Sequence, residues 1–337
     1  MTPSHAFQNK PKNLWLVFFI LTIALFIGGY ISLRFGAIAF SHQALLTALE
    51  KPLTDSKVQD IVIDIRLPRM LAALFVGAAM AQAGAIMQGI TRNAIADPGL
   101  LGINAGAGLA LIIAYAVIGN LHYLQILMIC LAGAILAAFM VFILAYQKGK
   151  GYDQLRLILA GAMIATLFSA IGQAITIYWH LETTVIGWLA GGLSQVNWPM
   201  ITIIIPIISL GLLLAQLLAH QLTILSLNEA IAKALGQKTF VMTIMLLMIV
   251  LVLSAGAVAM VGAIAFIGLI IPHLIRLWIP MDYRFILPLS AYAGAVFLLW
   301  VDVISRMINP PAETPISAII AIIGLPWFLW LIRRGRF

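Results

Sequence analysis

The amino-acid sequence predicts an all-α integral membrane protein of about ten transmembrane helices. Three observations lead there. Of 337 residues, 63% are hydrophobic and only 9% are charged, a composition foreign to soluble domains. The mean hydropathy is +1.10. The apolar residues fall in uncharged runs, most of them near the ~20 residues a helix needs to cross a hydrocarbon core about 30 Å thick.

A net charge of +8 suits nucleic-acid binding, but the basic residues lie in short loops beside apolar runs, the distribution that sets membrane topology. No nucleic-acid partner is expected. The single cysteine, Cys130, sits inside an apolar run, so no disulfide or Cys-based metal site can form within the chain. No GxxxxGK[ST] phosphate loop, HExxH pair or nucleophile-base arrangement is present, so neither catalysis, a metal nor a cofactor is expected, and nucleotide-driven work requires a partner.

The first run, 14–33, follows Lys10 and Lys12 and precedes Ala37-Ile38-Ala39, which mimics a signal-peptide cleavage site. Its length exceeds an h-region of about 7–15 residues, so it reads as an uncleaved span. A polar stretch with Glu50, Lys51, Asp55, Lys57, Asp60 and Asp64 is long enough for a short external helix. The next spans are expected at 67–90, 99–118, 121–146, 155–179 and 198–218. The uncharged tract 239–279 is too long for one helix. It is expected to fold back near Ala255–Gly262, where small residues crowd, giving spans at 239–258 and 262–279. Runs at 285–303 and 314–332 complete the set.

An even number of spans puts both ends on one side. With that side cytosolic, Lys10, Lys12, Arg92, Lys148, Lys150, Arg156, Lys233, Lys238, Arg276, Arg284, Arg333, Arg334 and Arg336 lie inside, leaving Arg34, Lys51, Lys57, Arg66, Arg69 and Arg306 outside. The positive-inside bias supports this orientation and makes the outer arginines conspicuous.

Within 67–90, Ala73, Gly77, Ala81, Ala85 and Gly89 recur every fourth residue. On a helix they form one stripe of small side chains, with Gly84 nearby, that admits close backbone approach by a neighbour. The stretch 225–238 is too short and polar to span. Ser226 and Glu229 have capping-box spacing, and Gly236 stands where a helix needs a left-handed stop. The pattern specifies a short cytosolic helix with Ile231 and Leu235 on one face. Pro272 bends its span, and His273 beside it reads as interfacial. Asp302 and Arg306 have helix ion-pair spacing.

The segment RLPRMLAALFVGAAMAQAGAIMQGITRNAIADPGLLGINAGA, from Arg66 onward, strongly resembles the FecCD-type permease subunits of ATP-binding-cassette importers for iron-siderophores, haem and vitamin B12. Further matches are GAIAFIGLIIPHLIRL from Gly262, AETPISAIIAIIGLPWFLWLIRR from Ala312 and WLAGGLSQVNW from Trp188. The resemblance implies a type II importer fold and a bacterial cytoplasmic-membrane location. It also implies three partners: a cytosolic ATPase dimer, an extracytoplasmic substrate-binding protein and a second permease subunit. It assigns Arg66, Arg69 and Arg306 to docking of the binding protein's glutamates, a role suited to a bidentate, permanently charged group. It makes the segment around Ser226, Glu229, Ala230 and Gly236 the coupling helix on the ATPase, and implies an iron-siderophore as cargo, with haem or vitamin B12 as the alternative. The Asn309-Pro310-Pro311 tail resembles siderophore-type members more than the vitamin B12 type. An ion-coupled secondary transporter would need charges at mid-membrane depth. The runs carry theirs at the ends.

Overall fold

The computed structural model describes residues 14–36, 38–50, 57–147, 151–152, 154–183, 185, 191–279, 282–310 and 312–334. Among them seven helices are long and apolar enough to cross a membrane. They are α1 (Leu14–Arg34), α3 (Lys57–Thr91), α5 (Tyr123–Ala145), α6 (Gln154–Tyr178), α7 (Trp198–Leu217), α10 (Thr239–Val261) and α12 (Tyr283–Ile308). Three shorter apolar helices, α4 (Ile103–Val117), α11 (Ile267–Arg276) and α13 (Ile316–Arg334), occupy the remaining apolar runs. Three further helices are polar or short: α2 (His42–Glu50), α8 (Ala219–Leu225) and α9 (Glu229–Ala234). The protein is therefore a multi-pass membrane protein, and the exposed Phe19, Phe26, Phe139, Leu144 and Met163 fit an outer surface solvated by lipid.

α3 is the central helix, packed against α10, α11 and α12. Its small-residue stripe permits this. A Cβ added at Gly77 would lie 2.2 Å from the Gly294 carbonyl oxygen, and one at Gly84 would lie 2.0 Å from that of Gly268. Ala81 Cβ would lie 2.4 Å from a Cβ added at Gly294. Gly89 lies against Leu222 and Tyr283. Such packing replaces the hydrophobic drive that helices in lipid lack.

The helices depart from the sequence expectation in two places. The polar stretch before Arg66 is continuous with the second span, because no helix-stopping residue separates Lys57 from Arg66. It runs as a π-helix over Asp60–Arg66, a looser ladder just ahead of Pro68, which has no N–H to donate. The long tract does not turn among the small residues at 255–261, which stay helical. It breaks at 262–266, where Gly262 has φ 82° and Phe266 φ 70°. Glycine adopts that region freely and phenylalanine does not, so packing holds Phe266 there. The irregular backbone is satisfied from neighbours: Asn104 Nδ2 donates to the Ile264 carbonyl at 3.2 Å and Gly192 N–H to Val261 at 2.9 Å. In the matched stretch 188–198, residues 188–190 lie outside the described residues, while 191–197 form a non-helical turn leading into α7 at Trp198.

The described basic residues segregate to two ends of the bundle. Arg66, Arg69, Arg306 and Arg34 gather at one; Arg92, Arg276 and Arg284 sit with α8 and α9 at the other.

Candidate functional site

At the first end, α3 and α12 bring the three singled-out arginines together. Arg69 Nε donates to Asp302 Oδ1 at 2.7 Å, and its other nitrogens reach both carboxylate oxygens of Glu313. Arg306 sits 2.9 Å from Asp302 Oδ2, close enough to pair but poorly aligned for a hydrogen bond. It also donates to the carbonyl and hydroxyl of Ser32, at 3.2 and 2.9 Å. Arg66 donates to the Leu33 and Ile38 carbonyls and stacks 4.5 Å over Phe40. The side chains that the resemblance assigns to docking are enclosed within the fold. Arg66, Arg69 and Arg306 are 5%, 4% and 8% exposed, and Asp302 is fully buried. A guanidinium out of water must be paired, and this chain supplies the partners itself. Glu313 and Ser32 were not singled out from sequence. The signal in the sequence was that Ser32 lies near the end of an apolar run and that Glu313 is the one acid after Asp302.

Between the two ends lies a cavity of about 410 Å³, half open, lined by α4, α6 and the 262–266 break. Its polar wall consists of Asn104, Ser169, Gln173 and Thr176, and none of its described lining side chains is charged. Ser169, Gln173 and Thr176 are spaced by four and three residues, so they share one helix face. The break places Ala263 and its unwound backbone on this cavity, where non-helical backbone at membrane depth is tolerated.

At the other end, α8 leads directly to α9. The cap of α9 is Asn228, whose side chain accepts from Ala230 N–H at 2.9 Å. The expected Ser226 cap is thus corrected: its hydroxyl bonds the Thr223 carbonyl at 2.7 Å and closes α8. Gly236 has φ 77° and open space around it, the left-handed stop that a glycine supplies without cost from a Cβ. Ile231 and Leu235 are exposed on this helix, and Leu227 and Phe240 beside it. The Glu229 side chain lies outside what is described. His273 is buried rather than interfacial, edge-on to Trp327 with ring centroids 5.5 Å apart.

The loop between α3 and α4 holds a buried acid. Asp97 Oδ1 accepts from Gly99 N–H at 2.8 Å. Its Oδ2 has no partner among the described residues and lies against Gly268. Burial pushes this carboxyl from 3.8 up to about 6. A raised carboxyl value means the fold prefers the neutral form, so its contribution falls as pH climbs from about 4 through 6 and stays low above. Asp97→Asn keeps the acceptor and removes the charge. It is expected to unfold at a higher temperature than wild type at pH 7.5, by the equivalent of at most about 3 kcal/mol. The advantage should vanish near pH 4. Thermal melts in detergent across pH check this, and a pH-independent difference contradicts it.

Comparison with known proteins adds the lineage. The family model of the FecCD transport family matches residues 21–334. The iron(3+)-hydroxamate import system permease protein FhuB of Bacillus subtilis (strain 168) is 38% identical over 312 residues, covering 93% of this chain and 81% of that protein. The Fe(3+)-citrate import system permease protein YfmD of the same organism is 36% identical over 334 residues, covering 98% of each. A solved structure described as an inward-facing conformation of a metal-chelate type ABC transporter superposes with a TM-score of 0.82 at 30% identity, covering 96% of this chain and all of that one. With nearly every described helix inside the matched region, this chain belongs to the FecCD transport family.

Proposed function

We propose that this chain is the non-catalytic permease subunit of an ATP-binding-cassette importer carrying a ferric siderophore, of hydroxamate or citrate type, across a bacterial cytoplasmic membrane. The observation that carries the reading is the uncharged, half-open cavity between α4 and α6. An ion-coupled carrier needs an ionisable group where cargo and ion meet, and this wall offers amides and hydroxyls. A second permease subunit, identical or related, closes the open side.

The ends supply the other two seats. The exposed Ile231 and Leu235 of α9, held by the Asn228 cap and the Gly236 stop, present an apolar knob to a cytosolic ATPase. On this reading Glu229 and Ala230 open the contact, and both termini are cytosolic. At the outer face, Arg66, Arg69 and Arg306 outnumber Asp302 and Glu313 by one charge. Among the described residues Arg66 is bonded to neutral carbonyls alone, so it carries the excess. A glutamate of the extracytoplasmic binding protein therefore gains most at Arg66, while Arg69 and Arg306 hold the surface beneath it.

The test is reconstitution. Proteoliposomes holding this chain with its ATPase and binding protein are expected to take up radioiron-labelled ferric hydroxamate or ferric citrate. Uptake of neither, with transport of haem or cobalamin instead, would contradict the cargo.

A further inference from the structure

We propose that α3 and α12 act as one strut joining the outer arginine cluster to the ATPase seat, and that Thr223 on α8 is the positioning residue that clamps the strut to the coupling helix. The inference rests on the permease reading above.

The two helices are tied at three levels. At the outer end, Asp302 of α12 receives Arg69 of α3 at 2.7 Å. Midway, Gly77 and Gly294 meet backbone to backbone, so each added Cβ would lie 2.2–2.3 Å from the other's carbonyl oxygen. At the inner end, Gly89 of α3 touches both Tyr283 of α12 and Leu222 of α8. A pair held this closely along its length cannot slide without breaking all three contacts, so displacement at one end reaches the other.

α8 is clasped to the inner end of that pair by polar contacts that helix packing alone does not require. The Thr223 hydroxyl accepts from Tyr283 N–H at 3.0 Å and lies 3.3 Å from Asp282 Oδ1. Asp282 caps α12 by accepting from Arg284 N–H at 2.9 Å. Despite partial burial, which alone raises it, its carboxyl is held below the usual range by hydrogen bonds and charge from Arg284. It therefore stays ionised at neutral pH. Arg92, in a left-handed turn that ends α3, donates to the Leu225 carbonyl at 3.3 Å. Gln237, just past α9, donates back to the Gln221 carbonyl of α8 at 2.8 Å, so α8 and α9 form one closed unit. Thr223 is thus the side chain through which that unit holds the first turn of α12.

The experiment uses the complete complex in proteoliposomes, with ATP hydrolysis measured without binding protein and with binding protein loaded with a ferric hydroxamate. Thr223→Val keeps the shape and removes the hydroxyl. Expected are unchanged basal hydrolysis, a stimulation by loaded binding protein reduced about threefold to tenfold, and restoration by Thr223→Ser. Full stimulation in Thr223→Val overturns the strut. So does a parallel fall of basal and stimulated rates, which marks local damage to the ATPase seat. A wild-type complex insensitive to binding protein overturns the permease reading itself, and the strut with it.

Discussion

Asp302→Ala is expected to remove most of the folded protein from the membrane. The fully buried Asp302 carboxylate stands between Arg69 and Arg306. Its loss leaves Glu313 as the remaining acid against two buried guanidiniums. Removing one member of a buried charge group costs about 3–5 kcal/mol because the survivors stay desolvated, a large share of a stability of about 5–15 kcal/mol. Fluorescence-detected size exclusion and thermal melts in detergent measure it. Replacing the three buried members with apolar residues, as in Arg69→Met, Asp302→Leu, Arg306→Met, leaves the part-exposed Glu313 to solvent and should recover much of the loss. An Asp302→Ala protein as stable as wild type would mean that the cluster is solvated.

Gly84→Ala is expected to be nearly as damaging. The new methyl would lie 2.0 Å from the Gly268 carbonyl oxygen and 2.3 Å from its Cα, and both are backbone atoms that cannot rotate aside. Separating α3 from α11 also pulls at Gln88, which donates to the Gly268 carbonyl at 3.2 Å. Overpacking costs about 1–3 kcal/mol where side chains can adjust, and a backbone clash sits at or above that upper end. Gly29→Ala is the control, because among the described residues its added Cβ would meet only Met70 Sδ, at 3.7 Å. Equal melting temperatures for the two variants would contradict the packing.

Much of this was legible in the sequence because lipid imposes a severe filter: runs without charge must be helices, and their lengths can be counted. The small residues of 67–90 and Gly236 could be assigned a physical job from spacing alone. The burial of Arg66, Arg69 and Arg306 could not. The carboxylate partners of Arg69 lie more than 200 residues away along the chain, Arg306 reaches across to Ser32 as well as to the nearby Asp302, and the partners of Arg66 are backbone carbonyls. The break at 262–266 was misplaced because small residues at 255–261 serve helix packing as readily as turning. Phe266 in a left-handed conformation has no sequence signature at all. Asn228 displaced Ser226 as the cap because both types cap equally well, and the choice depends on where α8 ends.

The central claim is that this chain forms only a path, with recognition and energy supplied at its two ends by other proteins. The most direct measurement is accumulation of radioiron-labelled ferric hydroxamate or ferric citrate in proteoliposomes under two conditions. One holds the purified chain alone with an imposed proton or sodium gradient; the other adds the ATPase, loaded binding protein and ATP without a gradient. The account predicts accumulation only in the second. Accumulation by the chain alone, driven by the gradient, would contradict it.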